Sequence, residues 1–304
     1  MQIRRLTISN NITSYLYPCV ISGELYALAA ALCWSVAAVF YKKGIGAGAV
    51  PAVLIRTFSA MIFVLVIYLV IRGWHFEFTL IGFAFLNLGG LLRLIIGGMA
   101  YMKGLENISV SRFIPILFTF PLLTILLSAL LLHENIHLKV VAGTALIVAG
   151  VWVLSRGHNT GNEKNVKIGI SFAILASFLY AFSVVATKTG LNDVDPFQSV
   201  LISMPLPLAL LYAGYSVKSG PAAIFRFRRE AYILLGLGGI AGMGVGSYLF
   251  FNSMTLIGAA KATSLAAITP FLSSMMALLT LKEKISPELV FGTATTVAGI
   301  WVIM

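Results

Sequence analysis

Charge is scarce in this sequence, and acid is scarcest: ten Asp and Glu stand against 21 Lys and Arg in 304 residues. Only 10% of residues are charged and 59% are hydrophobic. A water-soluble surface needs about 25% charge, so a soluble globular domain is excluded. Cysteine is nearly absent. Cys19 and Cys33 cannot build a disulfide framework. The four histidines, His75, His133, His137 and His158, fall between apolar blocks, and His133 and His137 lack the Glu of a helical zinc site. There is no Walker A lysine motif. No catalytic residue, metal ligand or cofactor is therefore assigned, and an enzyme is not expected. The net charge of +11 is spread through short loops instead of one basic domain, so no nucleic-acid partner is expected. Residues 1–22 lack a continuous apolar core and a cleavage site, so no secretory signal is read there.

What the chain has in abundance is apolar blocks of about 20 residues, enough to cross a hydrocarbon core as a helix. Ten such spans are expected, at 24–42, 51–71, 80–102, 110–132, 138–155, 167–189, 196–217, 231–253, 262–281 and 286–304. The predicted fold is an all-α polytopic membrane protein with short connections. An N-terminal segment, 1–22, precedes five spans in 23–155. A polar linker, 156–166, leads to five more in 167–304.

The two halves are related. A shift of 149 residues superposes Pro121 on Pro270, Glu134 on Glu283, Gly143 on Gly292, Gly150 on Gly299 and Trp152 on Trp301. A shift of 146 places Gly23 on Gly169, Trp34 on Tyr180 and Lys42 on Lys188. This is an internal duplication. Five spans per half is an odd number, so the second half enters from the opposite face. An inverted-topology repeat with its pseudo-two-fold axis in the membrane plane follows.

All ten acids fall at span ends or in loops, which argues against a carboxylate-based proton relay at mid-depth. Two arginines behave differently. Arg93 lies in the middle of the third span, where placement costs on the order of 2.5–3.5 kcal/mol. Arg56 lies inside the second, where snorkelling to the interface is the alternative. A cavity-facing Arg suits a carboxylate or phosphate, so the expected substrate is anionic or zwitterionic. Trp34, Asn87, Tyr101, Tyr180 and Asn252 are expected to shape the cavity with Arg93 and Arg56. Pro121 and Pro270 interrupt their spans, as do Pro115, Pro205 and Pro207. Glu134 and Glu283 read as turn-fixing residues. Glycines in the third and eighth spans, among them Gly89, Gly97, Gly238, Gly242 and Gly246, let helices approach closely.

Gly23, Trp34 and Lys42, Arg56 in LIRTFSA, Ser111-Arg112, Pro121 with His133-Glu134, and Gly143 with Ala149-Gly150 together resemble the EamA family of the drug/metabolite transporter superfamily. Lys261, Pro270, Lys282-Glu283-Lys284, Gly292 and Ala298-Gly299 resemble its second domain. The resemblance implies a ten-helix inverted repeat around a central cavity in the cell membrane. It also implies a secondary transporter or exporter of small metabolites, often amino acids, surrounded by lipid. The alternative is a multidrug exporter with a promiscuous aromatic cavity. Arg93 is not part of the family pattern, which makes it a candidate for this protein's own specificity. The resemblance implies termini in the cytoplasm, whereas the Lys and Arg bias places them outside. Orientation, coupling ion and oligomeric state stay open.

Overall fold

A backbone crossing hydrocarbon must satisfy its polar groups internally, and the α-helix does so within one segment. The computed structural model describes residues 22–44, 49–108, 113, 116–154, 165–281 and 287–304, and every regular element among them is helical. Helix α1 spans Gly23–Gly44 and α2 Ala49–Arg72. Helix α3, Leu80–Leu91, starts at Thr79, whose hydroxyl accepts from the Gly82 amide at 2.9 Å. A π turn at Leu92–Ile96 carries α3 into α4, Gly97–Asn107, without a loop. Helices α5, Phe120–Leu131, and α6, Leu138–Leu154, complete the first half.

The second half holds α7 (Val166–Gly190), α8 (Pro196–Ile202), α9 (Pro205–Ser219) and α10 (Arg229–Gly239). A second π turn, Ile240–Gly246, leads into α11 (Ser247–Ala266), followed by α12 (Thr269–Leu281) and α13 (Pro287–Ile303). Among the described residues, six helical stretches are long and apolar enough to cross a membrane: Gly23–Tyr41, Val50–Arg72, Leu80–Tyr101, Val166–Gly190, Pro196–Ser219 and Arg229–Ala266. Phe120–Leu131, Leu138–Val153 and Val290–Ile303 are shorter apolar helices.

Several expected boundaries move for local reasons. The span expected at 196–217 is two helices, parted at Ser203 and Met204 ahead of Pro205. Asp195 opens the first of them by accepting from the amides of Phe197 and Gln198, and Pro196 follows where a missing N–H is tolerated. The helical segment leading into the ninth span starts at Ala259, directly after Gly258 interrupts α11 at φ 82°. Pro121 and Pro270 are each the second residue of a helix, α5 and α12. They start helices there instead of kinking them. Of the N-terminal segment and the linker, only Ser22, Asn165 and Val166 lie among the described residues, and Glu283 lies outside them.

Small residues are buried where helices cross: Ala27, Ala30, Ala31 and Ala37 line one face of α1, and Ala173, Ala176 and Ser177 line the matching face of α7, while Phe113, Phe251, Leu86 and Met254 fill the space between helices. Large apolar side chains such as Val70, Leu80, Leu138, Phe291 and Trp301 point outward. With lipid outside, close backbone approach replaces hydrophobic exclusion as the reason helices associate.

The contacts obey the duplication. Gly23 is covered by Ile257, and its counterpart Gly169 by Ile108. Gly246 lies under the Trp34 ring, and Gly97 under the Tyr180 ring. Gly143 faces the carbonyl of Gly299, while Gly150 faces that of Gly292. Both π turns fall at the same repeat position, since Leu92–Ile96 maps onto 241–245.

A Cβ at Gly150 would lie 2.7 Å from the Gly292 carbonyl oxygen, whereas nothing lies within 4 Å of one at Gly214. Gly150→Val is therefore expected to destabilise the protein by about 1–3 kcal/mol. Gly214→Ala is expected to hold or raise stability by up to about 1 kcal/mol. Thermal unfolding in detergent checks the pair.

Candidate functional site

Arg93 lies inside the first π turn, at the midpoint of the rod formed by α3 and α4. There the Gly97 amide bonds to the Leu92 carbonyl, five residues back, which admits one extra residue into the turn. In a regular α-helix, residues eight apart point about 80° away from each other. The extra residue cuts that angle to about 20°, bringing Tyr101 round to the side of Arg93.

Arg56 belongs to α2, and its backbone carbonyl packs onto Gly239, immediately before the second π turn. Only glycine allows that approach, because a Cβ on Gly239 would overlap the Arg56 backbone. The Arg56 guanidinium lies 4.8 Å from the centre of the Tyr41 ring. Tyr41 is held by donating its hydroxyl to the Gly238 carbonyl at 2.9 Å. A cation over an aromatic face is a favourable arrangement at low dielectric.

These groups form one cluster. Arg56 lies within electrostatic range of Arg93, Tyr41, Tyr101 and Tyr180, and Tyr180 within range of Arg93 and Tyr101. Helices of both repeats thus contribute to one site. The Nε atoms of Arg93 and Arg56 are both buried without a hydrogen-bond partner. Orphaned guanidinium nitrogens in a protein interior are costly, and such groups call for an explanation.

Of the seven expected binding residues, the structure draws Arg93, Arg56, Tyr101 and Tyr180 together. Trp34 stands next to the cluster: its indole N–H donates to the Gly242 carbonyl at 3.0 Å, and Gly242 also faces the Tyr41 hydroxyl. Trp34 packs on Phe250 with ring centres 5.1 Å apart, the counterpart of Tyr180 beside Tyr101. Asn87 and Asn252 are tied to their own helices, donating to the carbonyls of Phe83 at 2.9 Å and Tyr248 at 2.8 Å. Tyr41 of α1, outside the seven expected residues, stands beside Arg56, and its spacing of seven from Trp34 places both on one helix face.

The duplication breaks down at the charges. Under the 149 shift Arg93 falls on Gly242. Arg56 corresponds to Ser203, since Gly239 packs on the Arg56 carbonyl and Gly90 packs on that of Ser203. Both positive charges therefore come from the first half, and the second half carries Gly242 and Ser203 at the corresponding repeat positions.

Glu134 acts elsewhere. Its neighbour His133 has φ 52°, and the Glu134 amide bonds back to the Ser128 carbonyl at 3.2 Å. That bond, reaching six residues back, closes the end of α5 through a residue in the left-handed region. The turn aims the Glu134 carboxylate at the other half, where it accepts from the amides of Ala259 at 2.7 Å and Ala260 at 3.1 Å. Gly258 makes the approach possible, since a Cβ there would lie 3.0 Å from the carboxylate. Beside this cap, Lys261 pairs with Glu24 of α1 at 2.5 Å.

The sequence model of the EamA-like transporter family matches this chain twice, at residues 21–156 and 167–304. A protein of Archaeoglobus fulgidus described as an uncharacterized transporter is 24% identical over 291 residues, covering 92% of this chain and 97% of its own length. One crystal structure superposes with a TM-score of 0.74 at 20% identity, over 92% of this chain and 95% of its own. That likeness concerns the fold.

Removing a carboxylate that caps two helix amides typically costs about 0.5–2 kcal/mol. Glu134→Ala is expected to lower stability by that amount, with Glu134→Gln, which keeps one acceptor oxygen, recovering part of it. Thermal melts of the two variants in detergent provide the check.

Proposed function

The chain belongs to the EamA-like transporter family and is a membrane transporter, and from that premise we propose that it carries a small anionic or zwitterionic metabolite by alternating access. In this reading ten helices cross the cell membrane as two inverted sets of five, and the cargo binds between the sets at the arginine cluster. The observation that carries the reading is the pair of guanidinium groups with orphaned buried Nε atoms, one of them at the centre of its rod.

Each part has a physical role. Arg93 binds the charged group of the cargo by charge-assisted hydrogen bonds, which a planar fork of donors suits. Arg56, braced on Tyr41, supplies the second contact. Tyr101 and Tyr180 line the site from opposite repeats, and Trp34 with Phe250 walls it on the α1 side. The π turns and the break at Gly258 are positions where a rod can bend without losing its backbone bonding to lipid. One half rocking against the other then exposes the cluster to each face in turn. The same pair of cations disfavours the multidrug alternative, because a lipophilic cation entering the site meets like charge.

Reconstitution in liposomes tests the proposal. Uptake of an anionic or amino-acid cargo is expected for the wild type, falling at least tenfold in Arg93→Ala, about 1.4 kcal/mol of lost interaction. Unaltered uptake by folded Arg93→Ala protein would remove the support for the arginine site.

A further inference from the structure

Glu24, Glu134, Asp193 and Asp195 are engaged away from the arginine cluster. Glu24 is paired with Lys261, and Glu134 caps Ala259 and Ala260. Asp193 accepts from the Thr79 hydroxyl at 2.8 Å, and Asp195 caps α8. Glu77 precedes α3, while Glu230 and Glu288 occupy the first turns of α10 and α13. Glu106 belongs to the last turn of α4, about 20 Å along the rod from Arg93 at 1.5 Å per residue. Glu163 and Glu283 lie outside the described residues. At the depth of Arg93, no described residue supplies a negative charge.

Two guanidinium groups within range of each other in a low-dielectric interior repel, and a ligand that restores neutrality must bring two negative charges.

The geometry points to a cargo with a doubly negative group, a phosphate monoester or a dicarboxylate, bound jointly by Arg93 and Arg56. This rests on the transporter reading above and narrows it to dianions.

The test is a thermal-shift comparison on purified protein in detergent, with glycerol 3-phosphate, malate, alanine and tetraphenylphosphonium at one common concentration. Glycerol 3-phosphate or malate is expected to raise Tm while alanine does not, and the one that acts separates phosphate from dicarboxylate chemistry. Binding of the phosphate ester should weaken about fourfold between pH of about 7.5 and about 5.5, because its second pKa is about 6. Arg93→Met and Arg56→Met should each weaken dianion binding at least tenfold; Arg93→Met should do so without lowering the Tm of the free protein, whereas Arg56→Met also gives up the Tyr41 ring contact. Stabilisation by alanine that depends on the arginines would overturn the dianion assignment and leave the transporter reading standing. Stabilisation by tetraphenylphosphonium alone would overturn both. Silence from both dianions on well-folded wild-type protein would overturn the dianion assignment by itself.

Discussion

In lipid no water drives apolar side chains together, so helices hold one another only where their backbones come close. That requirement explains the distribution of glycine and alanine here. Gly143 and Gly150 of α6 meet the carbonyls of Gly299 and Gly292 of α13, and the alanine faces of α1 and α7 form the inner walls. The crossings at Gly23, Gly90 and Gly97 recur at Gly169, Gly239 and Gly246, so the scaffold reuses one packing solution. Large residues are found both outward, as Trp301 and Phe291, and in the interior, as Phe113, Phe251 and Met254.

A scaffold built twice carries its chemistry in the places where the copies differ. The aromatic walls are kept, with Trp34 over Gly246 and Tyr180 over Gly97. Arg93 and Arg56 are not kept, and Gly242 and Ser203 stand in their places. The small residues let the helices pack: Gly242 meets Ala37 and Tyr41, and the Ser203 carbonyl meets Gly90. A fold assembled from two arginine-bearing copies would concentrate four charges where this one holds two.

Much of this was legible in the residues. The duplication could be read from Pro121, Glu134, Gly143 and Gly150 and their mates, and Arg93 announced itself as a charge in the middle of an apolar block. The π turns could not be read, because LRLII and IAGMGVG look like ordinary helix and the inserted residue shows only in the bonding register. Without that register the approach of Tyr101 to Arg93 is invisible. Arg56 was ambiguous, since an arginine near a helix end can snorkel; the contact of its backbone with Gly239 lies in the opposite repeat and had no local signal. Glu134 marked a turn correctly placed after α5, but its reach to Ala259 depends on His133 adopting a positive φ that histidine rarely takes.

The arginine pair also makes the empty and the occupied protein different electrical objects. A charge that crosses the full membrane field exchanges about 2.3 kcal/mol with it per 100 mV. On the proposed dianion reading the occupied cluster is neutral, and a change of access would move little net charge through the field. Vacant, it would carry two positive charges, so returning without cargo would be the step that membrane voltage acts on. The resting potential of the host membrane would then govern the balance between swapping one cargo molecule for another and carrying them one way.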